Sequence, residues 1–288
     1  MPSVAPPPNT IPEPLIDAFT LNAKIPIAYY YCNNKINEKT ITHNTALKYK
    51  IVFALLRTRL FCYYGIEINA FYDATKKYPL KDRSVIIWGL AGCNCEAIAL
   101  WRGAKRVYAI NYNKPICDHK KVEVYNHEEF IAKNVKADIA FSYSSFEHDG
   151  LGRYGDPLDP NGDLRAMQEA RKTLKDDGIL FLGVPIGRDC LCWNAHRIYG
   201  EIRLPMLLKG WRCVDVFDAY HIDAPSYPFE LPLGQSVQFI LVCKKILADF
   251  PTDEELTNVY DSQTPYATNN KNVLEKINKI ILAHKTSV

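Results

Sequence analysis

Several absences narrow this sequence first. No apolar run approaches the roughly 20 residues needed to cross a bilayer. The longest candidate, Ile51 to Tyr64, is broken by Arg57 and Arg59 and reads as a core helix. The opening Met1-Pro2-Ser3 and Pro6-Pro7-Pro8 offer neither the basic start nor the apolar stretch of a secretory signal, so a cytoplasmic protein is expected. Charge of one sign is also scarce. The 35 Lys and Arg against 32 Asp and Glu leave a formal +3, too little and too scattered for the footprint of a nucleic-acid binder. The two Cys-x-Cys steps, at Cys93 and Cys190, have no matching second half, and a total of 9 cysteines is odd. Scattered thiols in a reduced interior are expected, with no metal site. A complete Gly-x-Gly-x-x-Gly is missing as well.

What is present suits one buried α/β core with extensions: 288 residues, 48% hydrophobic and 23% charged. Residues 1–80 divide into a Pro-rich opening with an aromatic cluster, Tyr29-Tyr30-Tyr31, and a helical cap. The opening shows no sustained periodicity and reads as an irregular arm. In the cap, Leu47, Ile51, Ala54, Leu55, Thr58 and Cys62 recur at helical spacing, which predicts a helix buried on that face. Residues 81–246 carry the core, and 247–288 form a charged tail ending in an amphipathic helix near Val273 to Ala283.

The core opens with Val85-Ile86-Ile87-Trp88, a glycine turn Gly89-Leu90-Ala91-Gly92, and the helix-like Cys95 to Trp101. A second strand, Arg106 to Ile110, stops at Asn111-Tyr112-Asn113 and completes a βαβ unit. A weaker strand and helix follow between Val122 and Val135. The next strands are Asp138 to Ser142 and, after a helix with Asp163 near its N-cap, Ile179 to Val184. Two last strands, Trp211 to Phe217 and Ser236 to Cys243, have no convincing helix between them and should pair antiparallel. NAD-binding Rossmann domains keep their strands parallel; class I methyltransferases close with an antiparallel pair.

Candidate site residues gather at the C-terminal ends of these strands, where open α/β folds bind ligands. Gly89, Ala91 and Gly92 let the backbone approach a nucleoside while the following helix offers free N–H groups. Asn111, with Tyr112 beside it, stands where a carboxylate would hold ribose hydroxyls. Ser144 and His148 end the fourth strand, and His148, with an ordinary pKa of about 6.5, is a candidate base for an acceptor hydroxyl. The loop Asp149 to Pro160 crowds three glycines, an Arg and a Tyr among aspartates. It reads as a substrate-facing lid, with Arg153 and Tyr154 as acceptor ligands and Asp156 as a second candidate base; a polar surface turn is the plainer alternative. Arg188 and His196 return to the same edge as acceptor ligands or as a structural network joining crossover to lid.

These strings resemble a known family, the methyltransferase-like domain of unknown function 268 found in nematodes and bacteria. The resemblance runs from about Ile66 to Lys244. It is carried by Ser144-Ser145-Phe146-Glu147-His148, by Gly150 to Pro160, by Val184-Pro185-Ile186-Gly187, and by Asn194-Ala195-His196-Arg197 with Tyr199-Gly200. It implies a Rossmann-like class I fold, mostly parallel and seven-stranded, with a pocket shaped for S-adenosylmethionine. Where the family pattern carries Glu, this chain has Asn111, and its turn Gly92-Cys93-Asn94-Cys95 is richer in cysteine. The expected activity is S-adenosylmethionine-dependent methyl transfer to a small-molecule or glycan-like acceptor. A catalytically inactive relative that keeps the pocket is the alternative. A nicotinamide-dependent oxidoreductase would require the final strands to run parallel.

Overall fold

The computed structural model describes residues 6–33, 43–58, 67–89, 93–111, 114, 116–218, 228–247 and 271–286. Helix α1 (Ile16–Thr20) and strand β1 (Ile27–Tyr30) come first, then β2 (His43–Asn44), α2 (Ala46–Thr58) and α3 (Ile68–Lys77). The alternating core follows: β3 (Ser84–Trp88), α4 (Asn94–Trp101), β4 (Arg106–Ile110), the short β5 (Ile116–Cys117), β6 (Val122–Tyr125) and α5 (His127–Ala132). It continues with β7 (Ala137–Tyr143), α6 (Gly162–Thr173) and β8 (Leu174–Gly187). Last come a hairpin of β9 (Cys190–Asn194) and β10 (His196–Ile198), then α7 (Arg203–Leu207), β11 (Trp211–Phe217), β12 (Ser236–Lys245) and α8 (Lys271–Thr286).

Seven strands form the main sheet in the order β11-β12-β8-β7-β3-β4-β6. From β8 to β6 every pairing is parallel, whereas β12 runs antiparallel to both β8 and β11. This is the class I methyltransferase arrangement, and it excludes the all-parallel sheet of a nicotinamide-binding domain. The central strand β3 is buried on both faces from Val85 to Trp88, as parallel strands covered by helices must be. One face packs Ile86, Trp88 and Leu180 with Phe130 of α5 and Ile277 of α8; the other packs Val85, Ile87 and Phe181 with Phe71 of α3. A capping box between Asn126 and Glu129 starts α5. Among the described residues no helix is long and apolar enough to cross a membrane.

The N-terminal segment differs from the irregular arm expected of it. Strand β1 lies parallel to β9, and β10 completes a second, three-stranded sheet. Ile11, Phe19 and Ile25 pack there on Leu151, Leu191 and Trp193. The Trp193 indole donates to the Pro8 carbonyl at 3.1 Å and the Tyr31 hydroxyl to that of Pro7 at 2.8 Å. This order comes from partners far away in sequence, so no local period announces it. Helix α2 also departs from expectation, because it buries Tyr49, Phe53 and Leu56 and leaves Leu47, Ile51, Ala54 and Leu55 outside. Aromatic size decided which face faces in.

Candidate active site

Adjacent parallel strands end together at one rim. Trp88 of β3 lies beside Ile110 of β4 and Ser142 of β7, and the Gly89 N–H donates to the Ile110 carbonyl at 3.0 Å. Gly89 has φ +73°, and a methyl group placed there would fall 2.7 Å from the Ser145 Cβ. Glycine is therefore required by both conformation and space, and the bend after β3 abuts the loop after β7. Cys93, at the start of α4, also adopts φ +74°, the region that ordinarily favours glycine. Ala91, Gly92 and Tyr112 lie outside the described residues. Asn111 stands at the end of β4, half-buried, its N–H bound to the Tyr125 carbonyl at 3.1 Å.

The loop after β7 is built around a buried carboxyl. Ser144, itself at φ +49°, donates its hydroxyl to Glu147 Oε1 at 2.8 Å, while Glu147 Oε2 is buried without a partner. Burial pushes the Glu147 carboxyl up to about 7, opposed by the backbone N–H groups, the Ser144 hydroxyl and the nearby Arg153. His148 Nδ1 lies 2.6 Å from the Ala195 carbonyl. A carbonyl can only accept, so Nδ1 carries the proton and Nε2 keeps a lone pair. Burial, reinforced by the Arg153 guanidinium, pushes the His148 pKa down to about 3. The ring is neutral, so its 3.7 Å approach to Glu147 is not an ion pair.

Four of the expected residues meet here. Arg153 donates to the Ala195 carbonyl at 2.9 Å and lies over the Tyr154 ring at 5.1 Å. The rings of Tyr154 and His196 stand nearly perpendicular to His148, at 5.5 and 6.3 Å. Burial and Arg153 also lower the His196 pKa. Asp156 is occupied differently. Its carboxylate accepts the N–H groups of Gly150 at 2.7 Å, Gly152 at 3.1 Å and Tyr154 at 3.3 Å, which makes it the brace of its own loop. Arg188 is exposed and lies elsewhere, in a cavity of about 540 Å³ shared with Lys24, Glu201 and Lys276.

The loop as a whole is anchored from below by a buried ionic cluster that sequence reasoning did not assign. Arg197, 2% exposed, donates to the carbonyls of Asp149 at 2.7 Å and Asp159 at 3.2 Å. Arg203 donates to both oxygens of Asp163, at 2.6 and 2.9 Å, and to the Pro160 carbonyl at 2.6 Å. The Tyr199 hydroxyl donates to Asp163 at 3.0 Å. Burial pushes Asp163 up, yet Arg197 and Arg203 hold it below the usual carboxylate value. Asp163 lies near the Asn161 N-cap of α6, as expected, and serves there as the counter-ion of two arginines. Asp189 likewise accepts the N–H groups of Gly200, Ile202 and Arg203 and closes the crossover. The signal for these roles was the density of Asp and Arg in the shared strings, but not which residues would be partners.

A second buried carboxyl stands in the first turn of α4. Both oxygens of Glu96 and the Asn94 side-chain nitrogen, in the first turn of α4, have no partner, and burial pushes Glu96 up to about 7. With the buried, unpartnered Ser142 hydroxyl, the rim therefore holds several polar atoms whose hydrogen bonds the described residues leave unmade, an arrangement folded proteins seldom tolerate without a purpose.

The chain matches, over residues 82–233, a family model described as Caenorhabditis protein of unknown function, DUF268. No curated protein matches it. Solved structures resemble it at low identity. One is the 1,6-didemethyltoxoflavin-N1-methyltransferase of Burkholderia thailandensis with bound 1,6-didemethyltoxoflavin and S-adenosylhomocysteine, 13% identical over 69% of this chain and 88% of that one, with a TM-score of 0.46. Another is a Leishmania major SAM-dependent methyltransferase of the DUF858 family, 12% identical over 68% and 82%, with a TM-score of 0.43. Because the family match spans more than half of its residues, the chain belongs to the DUF268 family.

Proposed function

We propose that this protein is an S-adenosylmethionine-dependent methyltransferase acting on a hydroxyl of a small-molecule or glycan-like acceptor. The observation that carries this reading is the abutment of Gly89 on Ser145, beside Asn111, at the C-terminal rim of a sheet with class I strand order. A nucleoside and a second compound can meet there. The residues fit the cofactor as far as they are described. Gly89 keeps side-chain bulk off the backbone, Asn111 offers an amide to the ribose, and Asn94, Ser142 and Glu147 hold unmade hydrogen bonds. When bound, S-adenosylmethionine supplies an electrophilic methyl group on its sulfonium. The chain's own task is to hold the acceptor and take its proton. Glu147 suits that task better than His148, because a base works best with a pKa near the working pH and Glu147 stands at about 7, while the Asp156 carboxylate is taken up by loop amides. His148, held near 3, positions the loop, and Arg153, Tyr154 and His196 line the acceptor side.

Asn111 favours a second reading, a non-catalytic relative that binds through the same rim, since an amide holds ribose hydroxyls less strongly than a carboxylate. Calorimetry with S-adenosylmethionine and S-adenosylhomocysteine on wild type and Asn111→Glu separates the two. Binding by the wild type supports the enzyme. Binding by the variant alone identifies a decayed cofactor site, and heat from neither sinks the enzyme.

A further inference from the structure

Helix α2 has two apolar faces, and among the described residues only one is packed against the core. Tyr49, Phe53 and Leu56 are buried in the core. Leu47, Ile51 and Leu55, spaced four apart and so aligned in one row, are 66%, 52% and 38% exposed. More apolar surface adjoins the helix. Trp101 stacks on Phe53 at 4.7 Å and is 53% exposed, and Ile116, brought alongside by the pairing of β2 with β5, is 51% exposed. A cluster of large exposed hydrophobics on one element marks an interaction site.

The helix that carries this row is charged in one sense only. Helix α2 contains Lys48, Lys50 and Arg57 and no acidic residue, and the sequence has no Asp or Glu from Lys39 through Ile66. Asp118, the acid nearest the helix start, accepts the Ala46 N–H at 2.8 Å. His119 meets the Tyr49 ring edge-on at 5.9 Å. Its pKa is lowered by burial first, and then by Lys121, Lys120 and Lys50 against the opposing pull of Asp118, so the positive potential reaches across from the neighbouring loop. An apolar row edged by cations, on a helix lying in the surface, is the pattern of a segment that rests in the plane of a lipid interface.

We propose that α2 docks on an anionic phospholipid bilayer. Leu47, Ile51 and Leu55 enter the headgroup boundary, and Lys50, Arg57 and Lys120 face lipid phosphates. A second copy of the chain is a poorer occupant, because pairing two such rows would bring the cations of two acid-free helices together. The proposal does not depend on methyl transfer.

Vesicle flotation of the full-length protein tests it, with phosphatidylcholine alone and with phosphatidylcholine mixed with phosphatidylserine. The protein floats with the mixed vesicles, less at high salt, and Ile51→Glu weakens this by about tenfold or more. Ile51 is half-exposed, so the variant keeps its fold, which its circular dichroism verifies. Failure to float, flotation indifferent to phosphatidylserine, or flotation unchanged by Ile51→Glu overturns the proposal. So does a wild-type dimer in sedimentation velocity that Ile51→Glu converts to monomer without any lipid binding.

Discussion

Glu147 and His148 are both buried, yet burial moves them in opposite senses: the carboxyl keeps its proton up to about 7, and the imidazole refuses one until about 3. The raised Glu147 pKa means that its contribution to stability is fully present below the ordinary 4.5 and is lost as pH rises through 7. The depressed His148 pKa works the other way, with stability present above 6.5 and lost as pH falls toward 3. Each slope is worth about 1.4 kcal/mol per pH unit inside its window. Thermal melts over pH should show Glu147→Gln removing a loss between 4.5 and 7, and His148→Gln removing a loss below 6.5. Differences of the same sign would contradict the assigned charge states. In turnover, Glu147→Gln should lower kcat about 10²- to 10⁴-fold and abolish the rise of kcat/KM through pH 7. Asp156→Asn, whose carboxylate serves loop amides, should cost stability and leave that pH limb in place. His148 was legible as a candidate because histidine titrates near neutrality by default. Glu147 was not, because its tuning comes from desolvation, which only the packed structure supplies.

At the scale of elements, the loop from Glu147 to Gly162 shows how polar density became rigidity. Read as a lid, it should move; as folded, it is fastened by Arg197 and Arg203 to backbone carbonyls and to Asp163. Removing one partner of a buried ion pair strands the other charge, at a cost of about 3–5 kcal/mol. Asp163→Ala should lower stability by that amount in chemical denaturation, whereas Arg165→Ala, on an exposed pair with Asp159, should cost less than about 1 kcal/mol. Equal effects would mean that the buried cluster is not the anchor. The strands of the sheet were legible because parallel strands covered on both faces are written as short continuous apolar runs, such as Val85 to Trp88 and Ile179 to Val184. Helix α2 was legible as a helix and misread in orientation. Its period fits two faces equally well, and the choice was made by Phe53 stacking on Trp101 and tilting against Tyr72, contacts that periodicity does not encode.

For the molecule as a whole, the strand order carries the proposed function, and the N-terminal segment packs against the loop proposed as the acceptor side. The order was readable because the Pro- and Gly-rich sequence between Phe217 and Ser236 reads as no helix, and strands so joined most easily pair antiparallel. The segment's role was not, because β1 finds β9 more than 150 residues later. Its packing is substantial. Ile11, Phe19 and Ile25 are each at most 5% exposed and cover Leu151, Leu191 and Trp193. Burying a large apolar side chain contributes about 1.5–3 kcal/mol, so three of them rival the smaller end of a whole domain's stability, about 5 kcal/mol. The same small core includes Leu151, which sits between the Gly150 and Gly152 amides held by Asp156, and Trp193, two residues before the Ala195 carbonyl that receives Arg153 and His148. A chain beginning at Lys35 should therefore melt well below the full protein and lose acceptor turnover more than it loses cofactor binding, since Gly89 and Asn111 stand at strand ends of the main sheet. Phe19→Ala should reproduce the effect in milder form. Calorimetry with S-adenosylhomocysteine beside a denaturation curve distinguishes the two losses; a truncated chain with undiminished stability would show that the second sheet is an appendage, and cofactor binding lost in step with turnover would show that the two sides of the rim are not separable.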